Sequence, residues 1–139
     1  MFCPVSGTRG RSTPLITLKA LLTPSALATL EPDEFYRFCP EPTCEVVYYS
    51  RARTYRSADV QVPVYQKDTG DDVPVCYCFG WTRGALLHAR QMEEGQRVVG
   101  EIRAHVQAGR CGCEVNNPQG SCCLGNLARA LGRSGGESA

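Results

Sequence analysis

Apolar residues in the first half of the chain occur in short runs bounded by polar and turn-forming residues, a pattern that predicts short β-strands. We expect strands at residues 35–38, 45–49, 54–56 and 60–64. Residues 15–18 also fit a short strand, but Thr17 is equally placed to cap a helix over residues 18–22. Thr23 followed by Pro24 predicts a short helical turn, because the hydroxyl accepts free N–H groups and proline suits the first helical position.

The second half of the chain carries apolar residues at the three- and four-residue spacing of amphipathic helices. Helices are predicted over residues 82–93, 97–108 and 124–131. Thr82 can cap the first of them, and a glycine follows each, at Gly95, Gly109 and Gly132. Glycine commonly ends helices because it adopts the left-handed conformation without strain. A polar segment containing glycine and proline, residues 67–74, separates the two halves and is predicted to be a linker.

The composition of the 139-residue chain narrows the range of functions that it can have. A net charge of +1, with acidic and basic residues interspersed, gives no reason to expect a nucleic-acid partner. No apolar run approaches the length of a transmembrane helix, and no signal-peptide pattern precedes Cys3, so we expect a cytoplasmic protein without membrane insertion. The nine cysteines are odd in number and fall in close groups, which in a cytoplasmic chain favours metal ligands over disulfides.

Three cysteines of the first half are predicted to bind a structural zinc ion: Cys3, Cys39 and Cys44. The sequence Cys-Pro-Val-Ser-Gly at residues 3–7 has the shape of a zinc knuckle, with Ser6 where a second cysteine is expected. Four residues separate the other two cysteines, which is a usual spacing for zinc. The fourth ligand stays open among Ser6, Asp33, Glu45 and a water molecule.

The remaining cysteines indicate a four-thiolate iron–sulfur site. Cys76 and Cys78 point to the same side if the backbone is extended, so both can bind one iron. Residues 109–125 supply the other thiolates: Cys111 lies in a glycine-rich turn, and Cys123 opens a predicted helix whose N-terminus favours an anion. The expected cluster ligands are Cys76, Cys78, Cys111 and Cys123, and Cys122 and Cys113 compete for the last position.

These segments resemble a known family. Residues 75–79 and 109–125 resemble the N-terminal domain of CopZ-type copper chaperones, whose second half is similar to bacterioferritin-associated ferredoxin (BFD). Residues 3–7 and 38–49 resemble the zinc-binding half of that family. The resemblance implies one zinc ion and one [2Fe–2S] cluster in a small helical module. Full-length members continue into a copper-binding domain with a Met-x-Cys-x-x-Cys loop, which this sequence does not contain.

The expected fold class is therefore α+β, with a β-rich zinc-binding subdomain followed by a helical, BFD-like [2Fe–2S]-binding subdomain. The expected boundaries are residues 1–66 for the zinc-binding subdomain, 67–74 for the linker, 75–133 for the helical subdomain and 134–139 for a disordered tail.

The resemblance implies one-electron transfer linked to copper handling, in which Cu(II) is reduced to Cu(I) for chaperone or efflux systems. Expected partners are copper-transport proteins or other redox and metal-handling proteins. No pattern for a catalytic residue stands out, and whether the protein is an enzyme stays open. One alternative is a Cu(I)- or metal-trafficking or sensing module, in which the surplus thiols of Cys113 and Cys122 bind soft Cu(I). Another is a metal-stapled adaptor without redox turnover.

Overall fold

The computed structural model describes residues 1–132, so the predicted tail at residues 134–139 lies outside the described part. The fold is α+β, as predicted. The elements are β1 (Arg11–Thr13), α1 (Leu15–Leu21), α2 (Pro24–Leu27), β2 (Tyr36–Phe38), β3 (Val46–Tyr49), β4 (Thr54–Arg56), a 3-10 turn (Ser57–Asp59), β5 (Pro74–Cys76), β6 (Trp81–Thr82), α3 (Arg83–Gln91), α4 (Gly95–Gln107), α5 (Cys113–Asn116) and α6 (Leu124–Ala130). Among residues 1–132, no helix is long and apolar enough to cross a membrane.

The first half is a four-stranded antiparallel sheet in the order β1-β2-β3-β4. Strand β3 is buried along its whole length because both of its faces are covered. Val47 and Tyr48 pack with α1, α2 and the neighbouring strands, whereas Val46 and Tyr49 pack with the buried cysteines Cys3, Cys39 and Cys44. One strand therefore connects the main core of this half to the predicted zinc site.

The second half is a β5–β6 hairpin packed with three helices, α3, α4 and α6. Its fully buried apolar residues come from β5 and the three helices and include Val75, Leu86, Val98, Ile102 and Leu127. Cys76 and Cys123 belong to the same buried cluster. The thiols predicted to bind a cluster are thus held by the core of the helical half rather than by a surface loop alone.

The segment from α5 to Gly120 lies against the first half. Thr17 Oγ1 in α1 donates a hydrogen bond to the Glu114 carbonyl at 2.6 Å, and Tyr48 OH in β3 donates to the Pro118 carbonyl at 2.6 Å. Gly120 has a φ of 74°, and a Cβ at this position would lie 3.0 Å from atoms of three residues of the first half: Thr13, Pro14 and Thr17. The absence of a side chain at Gly120 allows this close approach.

Two of the predicted strands in the first half are absent. The strand expected at residues 15–18 is the start of helix α1, because Thr17, Leu18 and Leu21 face the core at helical rather than alternating spacing. The strand expected at residues 60–64 does not form. Val60 makes only an isolated bridge with Leu22, and Pro63 removes a backbone donor that a continuing strand needs. The two predicted helix caps are confirmed: Thr23 accepts from the Ala26 N–H and Thr82 from the Ala85 N–H.

Candidate metal centres

The first thiol group consists of Cys3, Cys39 and Cys44, which three separate segments bring together. Cys3 lies in the N-terminal turn, Cys39 directly follows β2, and Cys44 lies just before β3. All three are buried, and their sulfur atoms lie within 4.8 Å of one another. The Cys3 and Cys44 Sγ atoms are 3.9 Å apart, close to the separation of about 4 Å for sulfurs on one tetrahedral zinc ion.

The knuckle at residues 3–7 positions Ser6 beside this group. The Gly7 N–H donates to the Cys3 carbonyl at 2.9 Å, which closes the turn. Ser6 Oγ then lies 3.5 Å from Cys39 Sγ. Of the other candidates for a fourth ligand, Asp33 is exposed and Glu45 is paired with Arg56 at 2.6 Å. Within the described residues, no carboxylate oxygen joins the three sulfurs at metal-binding distance.

The local environment favours a thiolate at Cys3. Burial raises the pKa of the Cys3 thiol, but hydrogen bonds from Ser6, Val5 and Cys39 outweigh burial and bring the pKa to about 7. Burial raises the pKa of Cys39. Lys67, from the segment that follows this half, donates to the Glu41 and Cys44 carbonyls at 2.7 and 2.9 Å. Its ammonium group places a positive charge next to the thiols and connects the loop of Cys39 and Cys44 to the linker.

The second thiol group contains five cysteines of the helical half: Cys76, Cys78, Cys111, Cys113 and Cys123. Hydrogen bonds link their sulfurs in a chain that runs from Cys76 to Cys123, then to Cys113, and from Cys113 to Cys78. The Cys78 and Cys113 Sγ atoms are 3.7 Å apart. Cys111 is hydrogen-bonded to Cys113, whereas Cys122 is exposed.

All four predicted cluster ligands belong to this group, but their arrangement differs from the expected one. Strand β5 ends at Cys76, and Cys78 lies in a turn that the Gly80 N–H closes on the Cys76 carbonyl at 3.0 Å. The prediction of an extended backbone through Cys78 was therefore wrong. Cys76 approaches Cys123, and Cys78 approaches Cys113 instead.

Cys113, which the sequence ranked below Cys111 and Cys123, enters the group because it opens the short helix α5. No predicted element covered this helix. A signal for it exists in the sequence, since Cys111-Gly-Cys113 repeats the Cys-x-Cys spacing of Cys76 and Cys78.

Helix α4 supports the turns that carry two of these cysteines. The His105 ring stacks on Phe79, next to Cys78, with ring centroids 4.6 Å apart. His105 Nδ1 lies 3.1 Å from a guanidinium nitrogen of Arg110, next to Cys111. Because a guanidinium group only donates, Nδ1 acts as the acceptor. No local sequence pattern indicates these contacts of His105, because Phe79 is distant in sequence and Arg110 lies beyond the end of the helix.

Hydrogen bonds in the second group favour thiolates, which can bind a cation. The bond from Cys123 lowers the pKa of Cys76 to about 7 and that of Cys113 to about 6. The contacts with Cys113 and Cys76, together with burial, raise the pKa of Cys123. Cys78 Sγ accepts from the Gly112 N–H at 3.2 Å and the Asn116 amide at 3.5 Å. Thiolates with N–H donors directed at sulfur are suited to zinc, copper(I) or iron–sulfur clusters.

The two groups differ in shape. In the first group all three sulfurs lie within 4.8 Å of one another, whereas in the described residues no three sulfurs of the second group do. A single tetrahedral ion needs a compact set of donors. The sulfurs of the second group are therefore more spread out than those of the first.

Known proteins resemble the chain over most of its length. A family model described as a zinc binding domain, zf_CopZ, matches residues 1–61. Copper chaperone CopZ of Archaeoglobus fulgidus is 33% identical over 138 residues, which are 99% of this chain and 65% of that protein. The chain thus spans about two thirds of that relative's length. The X-ray structure of the A. fulgidus CopZ N-terminal domain shares 31% identity, covering 93% of this chain and 96% of that chain, with a TM-score of 0.79.

Proposed function

Because this chain belongs to the family of the CopZ N-terminal domain, we propose that it handles copper within a cytoplasmic metal-trafficking system. The observation that carries the proposal is the convergence of five thiols in the helical half, with the exposed Cys122 in the same loop as Cys123. One [2Fe–2S] cluster needs four thiolates. The chain therefore has thiols to spare for a second, soft metal.

In this proposal, two resident metal groups organise the protein. Cys3, Cys39 and Cys44 hold zinc, and the helical half is a BFD-like module in which Cys76, Cys78, Cys111 and Cys123 hold a [2Fe–2S] cluster. The elongated set of sulfurs fits such a cluster, and so do the N–H donors directed at Cys78. Cys113 is the direct competitor of Cys111, because its sulfur lies 3.7 Å from that of Cys78.

Cu(I) is the cargo in this proposal, and the surplus thiols receive it. Thiolates match the softness of Cu(I), and the Cys113 side chain is half-exposed, so the ion can reach its thiol. Cys122 is exposed, so a partner's thiols can reach an ion bound there. Exchange of one thiolate for another would then pass Cu(I) to a copper-transport protein or another metal-handling protein.

Anaerobic competition with a chromophoric Cu(I) chelator tests the trafficking function. The zinc- and iron-loaded protein should withdraw Cu(I) from the chelator, and a Cys113→Ser, Cys122→Ser double variant should withdraw much less. Metal analysis of the variant is the control, because retained zinc and iron show that the loss does not come from unfolding. If the unmodified chain withdraws no Cu(I), the trafficking function is rejected.

One-electron transfer to copper is the second candidate, and the half-exposed positions of Cys78, Cys111 and Cys113 favour it. When bound, a [2Fe–2S] cluster would supply one electron at a time, which is enough to convert one Cu(II) to Cu(I). Anaerobic protein should contain about two irons and one zinc per chain by ligand counting. Stopped-flow mixing of the reduced protein with Cu(II) should restore the visible absorption of the oxidised cluster, with one Cu(II) reduced for each cluster that loses its electron. An unchanged spectrum while copper is consumed would assign the reduction to thiols instead.

A further inference from the structure

The loop between α5 and α6, residues 117–123, is organised by the buried side chain of Gln119. Its Nε2 donates to the Cys122 carbonyl at 2.9 Å and to the Ser121 carbonyl at 3.2 Å. Its Oε1 accepts from Gln66, at the end of the zinc-binding half, at 2.6 Å and from Asn126 of α6 at 2.9 Å. The position of the Cys123 backbone therefore depends on a network that reaches outside the helical half.

The sheet and helix α1 of the first half also hold this part of the chain. The hydrogen bond from Tyr48 to the Pro118 carbonyl is buried, and the side chains of Tyr48 and Thr17 are fully shielded from solvent. Gly120 packs tightly on the start of α1. The backbone from Glu114 to Gly120 is thus fixed at three points by residues of the zinc-binding half.

Strand β3 connects these contacts to the first thiol group. Tyr48 lies next to Tyr49, which packs directly with Cys3, Cys39 and Cys44. The Cys39 N–H donates to the Val47 carbonyl at 2.9 Å, so the zinc-binding loop and β3 share a backbone hydrogen bond. A metal ion that orders this loop would also order the strand that carries Tyr48.

We propose that Tyr48 and Thr17 are positioning residues for the second thiol group and that they couple it to the zinc site. Zinc holds β3 in place, β3 holds Pro118 through Tyr48, and the loop then places Cys123 beside Cys76 and Cys113. Such coupling is reciprocal, so metal at the second group also strengthens zinc retention. The proposal rests on the proposed function for the identity of the second metal, but its test needs only the thiols and zinc.

The test measures how fast Cys123 is alkylated by iodoacetamide, with mass spectrometry to assign the site. It uses the full chain carrying one equivalent of zinc and no iron or copper. Tyr48→Phe removes one hydroxyl and leaves a buried carbonyl unpaired, so Cys123 should react about tenfold faster. Thr17→Val, which removes the bond to Glu114, should act in the same direction. Tyr55→Phe is the matched control, because its hydroxyl contacts Thr29, at 3.1 Å, and Tyr36, both of which lie in the first half.

Removing zinc with a chelator from the unmodified chain and from each variant completes a thermodynamic-style cycle, in which the effect of zinc removal on the alkylation rate is compared between proteins. In the unmodified chain, zinc removal should accelerate alkylation of Cys123, whereas in Tyr48→Phe it should add little, because the connection is already broken. Equal acceleration by zinc removal in both proteins would overturn the proposal, as would equal rates for Tyr48→Phe and Tyr55→Phe. If Tyr48→Phe does not fold, Thr17→Val carries the same comparison. Failure to bind copper or iron would reject the proposed function but leave this result unchanged.

Discussion

At the scale of single residues, Ser6 shows how one side chain can set the character of a metal site. Its hydroxyl lies 3.5 Å from Cys39 Sγ, in the place where the knuckle would supply a fourth thiolate. A neutral hydroxyl is a weaker zinc ligand than a thiolate, and structural zinc sites usually have four protein ligands. We therefore expect a zinc ion held by these three thiolates beside a serine to keep one position that exchanges more readily.

Replacing Ser6 by cysteine tests this interpretation. Ser6→Cys should slow the release of zinc to a chelator by about tenfold or more, because a fourth thiolate closes the site. Ser57→Cys adds a thiol at an exposed position and serves as the control. Equal release from Ser6→Cys and the unmodified chain would show that residue 6 does not reach the metal.

Gly120 gives a second prediction at this scale. Gly120→Ala should lower the free energy of unfolding by about 2–4 kcal/mol, because it combines left-handed strain with overpacking against α1. Gly109→Ala is matched in backbone conformation, with φ of 77°, but a Cβ there meets nothing within 4 Å. The control should cost only about 1–2 kcal/mol. Urea denaturation measures both values, and equal losses would contradict the close packing at Gly120.

At the scale of elements, Arg83 at the start of α3 connects the helix to the linker before it. Its guanidinium group donates to the Tyr65, Asp68 and Gly70 carbonyls at 2.9, 2.7 and 3.3 Å. The same group stacks over the Tyr65 ring at 4.5 Å from its centroid. Residues 65–70 are therefore held by specific contacts, although their composition is that of a flexible linker.

Substitution of Arg83 should loosen this segment. Arg83→Lys keeps the charge but loses the planar fork that reaches several carbonyls at once, so limited proteolysis should cleave residues 65–70 several-fold faster. Arg97→Lys is the control, because Arg97 is exposed and pairs only with Glu94 and Glu101 in the contacts described. Unchanged cleavage in Arg83→Lys would mean that other contacts, such as those of Lys67, suffice to hold the linker.

At the scale of the whole molecule, the two thiol groups belong to halves that pack against each other. The hydrogen bonds of Thr17 and Tyr48 and the packing of Gly120 join the sheet to the helical half. A ligand that binds only the folded state stabilises everything that unfolds together with its site. Zinc should therefore stabilise the helical half as well as the sheet.

Trp81 allows this to be measured, because it is the only tryptophan and lies in the helical half, in β6. Thermal unfolding followed by Trp81 fluorescence should shift to lower temperature when zinc is removed, by about 4 °C or more for each 1 kcal/mol lost. Circular dichroism should show the same midpoint. If the midpoint followed by fluorescence does not change when zinc is removed, the two halves unfold independently.

Local patterns in the sequence determined much of this protein. The caps Thr23 and Thr82 start helices where predicted, because a hydroxyl beside free N–H groups acts within one turn of the chain. Strands β2 to β4 and helices α3, α4 and α6 also follow from the spacing of apolar residues. The close pairs of cysteines and their knuckle and turn contexts indicated thiols that bind metal, although they did not indicate which pairs meet in space.

Only the tertiary structure decided which distant residues meet. Residues 15–18 are helical because α1 packs its apolar face on the sheet. A run of only four residues fits a strand pattern and a helix pattern equally well, so the sequence did not predict this contact. Cys113 contacts Cys78 because Thr17, which is far from both in sequence, holds α5 against the first half. The bond between Tyr48 and Pro118 spans 70 positions. Such contacts depend on how whole elements pack, so no local pattern of residues specifies them.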